Sequence, residues 1–231
     1  MTTVAIHQPN YLPWIGFFHK MAHSDIFVLF DDVQLPLGKS YTPRTMIKTG
    51  NGTLKLTIPL LKRNDLLNIR DIKINNTLNW RKKHLRTIQY AYKKAKYFSD
   101  YIHLFEDVFE QEWNYLAELN SKLISIIKKT LDIKTELILS SQLDIGEADG
   151  LEKILKIVKV LNADTYFTGV GIGTQRYMNE KRFNDEKIKV VYQDFVHPIY
   201  TQLWNDEFVE GLSILDLLFN CGFDSRKHLF D

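Results

Sequence analysis

The chain has 231 residues, 45% of them hydrophobic and 25% charged, which is enough for one large globular domain with a buried core. A formal net charge of +2 names no particular partner and argues against a nucleic-acid binder, which concentrates positive charge more strongly. Cys221 is the single cysteine, so no disulfide forms within the chain. With no apolar run near the ~20 residues of a membrane span and no signal-peptide pattern, a soluble cytoplasmic protein is expected.

Thr3–Ile6 reads as a short buried strand. A loop with Pro9 and Pro13 follows. Pro13 suits the first turn of a helix reaching about His23, with Ile15, Phe18 and Met21 on its apolar side. Asp25–Leu29 reads as a second strand. Gly50, Asn51 and Gly52, between TMIKT and TLKLTIPL, predict a hairpin, and a strand is expected near Arg70–Ile74. From Leu78 to Leu131 the apolar spacing turns helical, over Trp80–Ala95, Asp100–Phe109 and Trp113–Leu131. The first of these carries Arg81, Lys82, Lys83, Arg86, Lys93 and Lys94; it reads as a solvated helix face, with an anion-binding surface as the sharper alternative. Thr135–Leu139, Thr165–Thr168 and Ile188–Tyr192 read as strands, and Gly150–Leu161 and Leu212–Phe219 as helices. The expected fold is α/β: a Rossmann-like, mainly parallel sheet shared by residues 1–75 and 136–231 of one domain, with residues 76–135 as a helical insertion.

Polar residues gather after the predicted strands, where open α/β sheets bind their ligands. His7 ends the first strand, placed to donate to an anion or move a proton near neutral pH, with Gln8, Asn10 and Tyr11 beside it as binding residues. Asp31 and Asp32 end the second strand. Adjacent carboxylates of an extended chain point to opposite faces, so one meets the ligand while the other caps a loop. Asp32 is assigned a catalytic role beside His7, keeping it protonated or orienting it. Gln34 follows as a binding residue. In Lys39–Arg44 (KSYTPR), Arg44 offers a planar fork for phosphate or carboxylate. Gly169 and Gly171 of TGVGIGTQRY, with Arg176 and Tyr177 after them, bring backbone N–H groups to a phosphate, although the spacing is neither the dinucleotide fingerprint nor a Walker loop. His197, Tyr200 and Gln202 follow the strand that ends near Tyr192. One crevice lined by His7, Tyr11 and Asp32, with residues from 169–177 or 197–202, is the expectation. There is no CxxC, HExxH or GxSxG, so no metal-ligand set is read; the sequence names no cofactor and leaves open a need for ATP or a metal ion, and Cys221 reads as packing.

Taken in order, IHQPNYLPWIGFFHKMAHSDIFVLFDDVQL, YFTGVGIGTQRYM, VVYQDFVHPIYTQ and LSILDLLFN resemble the WbqC-like family at both ends of the chain. Pro43 stands where that pattern has an asparagine before Arg44, and Thr168 where members often carry serine. The resemblance implies a setting in O-antigen and other surface-polysaccharide biosynthesis. The order of strand, polar loop and W-I-G-F helix start is also similar to the HxGH nucleotidyltransferases and the related ATP-dependent amide ligases, with Trp14 and Phe17 in the two histidine places. Three functions follow. One is transfer of an acyl or aminoacyl group to the amine of a nucleotide-linked or carrier-linked amino sugar, with His7 or Asp32 as base, Gln8 as oxyanion donor and Arg44 on phosphate. Another is nucleotidyl transfer or ATP-dependent ligation. The third is non-catalytic binding of a glycan precursor, with Tyr11, Trp14 and Tyr41 stacking on sugar. The expected partner is a nucleotide sugar or another phosphorylated sugar.

Overall fold

The computed structural model describes residues 1–35, 40–62, 67–171, 178–204 and 207–230. Five strands make a parallel sheet: β1 (Thr3–His7), β2 (Ile26–Leu29), β5 (Glu136–Leu139), β6 (Thr165–Thr168) and β7 (Lys189–Tyr192). Their spatial order is β5-β2-β1-β6-β7. The chain therefore builds outward from β1 in one direction, returns, and builds outward in the other. The topological switch point lies between β1 and β6. This is an α/β, Rossmann-like arrangement. β3 (Arg44–Thr49) and β4 (Gly52–Thr57) form a separate antiparallel hairpin, closed at the Thr49–Gly52 pair with Gly52 at φ +98°.

Among the described residues the helices are α1 (Ile15–Ala22), α2 (Trp80–Tyr92), α3 (Phe98–Glu110), α4 (Leu116–Thr130), α5 (Gly150–Val160), α6 (Glu180–Asp185), α7 (Ile214–Cys221) and α8 (Lys227–Phe230). Side chains of β1 alternate between two cores. Ala5 packs with Phe17, Phe18 and Met21 of α1, and the same core takes Ile88, Phe105 and Leu123 from α2, α3 and α4. Val4 and Ile6 face Leu155, Ile157 and Val158 of α5 and Phe183 of α6. Both faces of the sheet are covered, which is why the central strands read as unbroken apolar runs.

Two expectations need correction. Arg70–Ile74 is not a strand: Ile69–Asp71 forms one 3₁₀ turn, followed by isolated bridges from Lys73 to Tyr115 and from Ile74 to Leu60. Ile72 and Ile74 alternate with exposed Lys73, but only isolated bridges form there, because the backbone bonds go to the segment entering α4 (Leu116 N to Ile72 O, 2.9 Å). Pro13 does not begin α1. Trp14 is extended, bridged to Ser213, and Pro13 O accepts from Ile214 N at 2.8 Å, so the helix starts at Ile15.

Candidate functional site

His7 ends β1 beside the switch point and packs edge-on against Phe17 of α1, with ring centroids 4.9 Å apart. Its Nδ1 lies 2.9 Å from the carbonyl oxygen of Gln8. A carbonyl only accepts, so Nδ1 carries the proton and Nε2 holds the lone pair. Burial, then the charge of Lys20, lowers the imidazole pKa to about 4, against the pull of the Gln8 carbonyl. Lys20, on α1, is itself buried, and its ammonium donates to Ile6 O at 2.8 Å. Burial brings the Lys20 pKa down to about 7.

The HQPN loop is clamped from two sides. Thr42 Oγ1 contacts Gln8 Oε1 and Asn10 Oδ1, each at 3.3 Å, and Ser40 donates to it at 3.0 Å. With their oxygens turned to this hydroxyl, the amide NH₂ groups of Gln8 and Asn10 remain to donate. From α4, the fully buried Asn120 donates to Pro9 O and Thr42 O, both at 2.8 Å. Leu12, wholly buried, adopts φ +42°, a strained setting for a side-chain-bearing residue that the surrounding packing must hold.

Tyr11, expected at the crevice, is instead in the core at 0% exposure, its hydroxyl 3.0 Å from His84 Nδ1. Asp32, expected beside His7, has its carboxylate engaged elsewhere. It pairs with Lys153 of α5 at 2.7 Å, and Lys153 also donates to Asp32 O at 2.8 Å. α5 covers the face of the sheet opposite α1, against which His7 packs. Asp31 is the loop cap: buried, it accepts from Ser141 N at 3.0 Å and Ser141 Oγ at 2.7 Å. Gln34 is exposed and bridges to Asn68. Arg44 is half-buried, and its Nε is buried with no hydrogen-bond partner among the described residues. Gly169 lies beside Gln193 and Gly171 is exposed; neither has a positive φ. Tyr177, Arg176 and Lys39 lie outside the described residues. The two places of the HxGH pattern are filled by packing: Phe17 is buried against Phe27, and the Trp14 ring lies over Gly16.

His197, Tyr200 and Gln202 join a second cluster. His197 stacks between Trp14 and Tyr200, at 6.4 Å from each ring. Tyr200 donates to Asp216 of α7 at 2.9 Å, and the Gln202 oxygen accepts from the buried Lys48 at 3.2 Å. Asp216 is fully buried, which pushes its carboxyl pKa up against the pull of the Tyr200 and Tyr92 hydroxyls. Burial, with Asp216 next to it, raises the Tyr200 phenol as well. Gln202 of this cluster also lines a groove of about 870 Å³, with Lys94, Tyr97, Trp204 and Asn220. Sequence reasoning missed Lys20, Asn120, Lys153 and Asp216. Only Asp216 carried a signal, as a lone acid inside the apolar run ILDLLF. Among the described residues, no group of three His, Cys, Asp or Glu is placed to hold a metal ion.

The model of the WbqC-like protein family matches residues 8–228. The chain belongs to the WbqC-like protein family. Membership suggests a role related to polysaccharide biosynthesis. The chain is also 32% identical to Rv1507c of Mycobacterium tuberculosis (strain H37Rv), an uncharacterized protein, over 99% of this chain and 98% of that one. The family match begins at Gln8 and so takes in the clamped loop, both aspartates and the cluster at Tyr200. Among the described residues, no helix is long and apolar enough to cross a membrane.

Proposed function

We propose that this WbqC-like protein is a transferase of bacterial surface-polysaccharide (O-antigen) biosynthesis, acting in the cytoplasm, that moves an acyl or aminoacyl group to the amine of a nucleotide-linked or carrier-linked amino sugar. The reading rests on the fixed tautomer of His7 at the switch point, with Nδ1–H held by the Gln8 carbonyl. The amine nitrogen attacks the acyl carbonyl and its proton passes to Nε2 of His7. The tetrahedral oxyanion meets the Gln8 NH₂ group. Collapse breaks the bond to the donor's leaving group, which takes the proton back from His7. Burial and the charge of Lys20 lower the imidazole pKa to about 4, so Nε2 is unprotonated at neutral pH but is a weak base; the proton it takes comes from the nitrogen of the tetrahedral adduct, which is far more acidic than the free amine. The phosphates are received by Arg44, Asn10 and the start of α1, whose first turn has no acidic residue and no side-chain cap. Asp32, engaged by Lys153, takes no proton in this scheme.

Thermal-shift screening against nucleotide-linked amino sugars tests the substrate class; a bound ligand at ~100 times its dissociation constant adds about 2.7 kcal/mol. Mass spectrometry of reactions supplied with acyl and aminoacyl donors then follows the N-acylated sugar. The expected outcome is product from the wild-type chain and none from His7→Gln, whose melting temperature at neutral pH stays close to wild type. Full turnover by folded His7→Gln removes His7 as the base. No stabilisation by any nucleotide sugar removes the substrate class.

A further inference from the structure

Eight of the 30 Lys and Arg residues, and none of the 28 Asp and Glu residues, lie between Ile72 and Ser99. The rest of the chain has 22 cations against 28 acids, a net −6, although the whole carries +2. The fold turns this run into a surface. Trp80, His84, Ile88, Ala91 and Tyr92 are the buried side of α2 and fix its rotation, so Lys82, Lys83, Arg86 and Tyr90 face solvent together, and Lys93 and Lys94 continue them past the helix end.

Arg81 pairs with Glu112 at 3.6 Å. Among the described residues, Lys82, Lys83, Arg86, Lys93 and Lys94 pair with no carboxylate. Lys93 instead lies 5.8 Å from the Tyr90 ring, and Lys94 lies 6.0 Å from that of Trp204, whose indole N–H is tied to Ala91 O at 3.2 Å. Tyr90 is 67% exposed. From Lys82 to Lys94 the cations extend over about 18 Å of an outward-facing helix, at about 1.5 Å per residue. No single phosphate reaches across that length, whereas a plane of phosphates meets all of them.

We propose that the face formed by Lys82, Lys83, Arg86, Tyr90, Lys93 and Lys94 docks the protein peripherally on an anionic lipid bilayer, the cations meeting headgroup phosphates and Tyr90 lying at headgroup level. Cations facing an anionic leaflet attract it within about a Debye length, and Tyr is favoured at the membrane–water interface. The docking is electrostatic and reversible. It stands independently of the acyl-transfer reading.

The test is co-sedimentation of the full chain with vesicles of phosphatidylcholine containing about 30% phosphatidylglycerol, beside vesicles of phosphatidylcholine alone. Binding is expected to the mixed vesicles only, and to weaken at least about tenfold as salt rises from about 0.05 M to about 0.3 M. The variant Lys82→Glu/Lys83→Glu/Arg86→Glu should lose at least about tenfold in affinity, with its melting temperature kept. The variant Lys55→Glu/Lys62→Glu/Lys122→Glu makes the same change in net charge elsewhere and should bind as wild type. No binding to anionic vesicles, equal loss in both variants, or tighter binding to duplex DNA than to the vesicles would each overturn the proposal.

Discussion

The ammonium of Lys20 is tied by a 2.8 Å hydrogen bond to the carbonyl of Ile6, one residue before His7, and its charge helps to hold the His7 imidazole neutral. A buried cation and a potential base thus share the end of the central strand.

For His7, the folded pKa of about 4 lies below the ordinary 6.5, so the unfolded chain binds the extra proton between those values. Stability from this group is fully present above pH 6.5 and is lost as pH falls toward 4. At about 1.4 kcal/mol per pH unit the loss is about 3 kcal/mol. Urea denaturation across that window should show a shallower fall for His7→Gln than for the wild type. Identical slopes would mean that His7 is not buried neutral. His84, also lowered to about 4 by burial, contributes in both proteins.

For Lys20 the window is higher. The pKa falls from 10.5 to about 7 on folding, so the unfolded chain holds the extra proton between these and stability climbs as pH rises through them. Lys20→Met should abolish that climb. It should also raise the His7 titration midpoint, read by NMR of the imidazole, because a like charge has gone. An unmoved midpoint would show that Lys20 acts on His7 through packing alone.

Asp32→Ala should destabilise by about 3 kcal/mol, since it leaves the Lys153 ammonium buried without its carboxylate partner and with only the backbone carbonyl of residue 32 to receive it. The double variant Asp32→Ala/Lys153→Met should recover part of this loss in chemical denaturation. A double variant no more stable than Asp32→Ala would contradict a structural role for the pair.

Tyr11→Phe removes one buried hydrogen bond to His84 and should cost about 1–2 kcal/mol. Any thermal shift produced by a nucleotide sugar should be unchanged, because Tyr11 is sealed in the core. A lost ligand response with the fold intact would return Tyr11 to the binding surface.

Gly16→Ala would place a Cβ 2.5 Å from Trp14 Cη2. The indole must swing away, which should cost about 1–3 kcal/mol and change the tryptophan emission. Unaltered emission and stability would show that the ring is not seated on Gly16.

The sheet was legible because each strand is a short apolar run bounded by turn residues, and the alternation with helices restricts the topology. The hairpin followed from the glycines at Gly50 and Gly52. What could not be read were partners distant in sequence. Tyr11 sits among His, Gln, Pro and Asn and reads as exposed; its burial depends on His84, 73 residues later. Asp32 reads as a free carboxylate until Lys153 arrives from α5, 121 residues away. Lys20 in IGFFHKMA reads as the solvent side of an amphipathic helix, yet it is buried and its ammonium reaches Ile6 O at the end of β1. The cationic face was visible as a run of letters, but its lack of carboxylate neighbours was not.

The central position of β1 has a consequence for the growing chain. Val4 is aligned with Ile26 on one side and with Tyr166 on the other. The first pairing is available almost as soon as α1 has been made. The second waits for more than half of the polypeptide to be synthesised, while α2, α3 and α4 can already form from local contacts. Through that interval β1 presents an open row of N–H and C=O groups to any neighbouring nascent chain. Closure of that edge, a contact across most of the sequence, is the slow event that topology imposes. A polypeptide stopped after α4 keeps the helices, lacks β5, β6 and β7, and carries the exposed edge permanently.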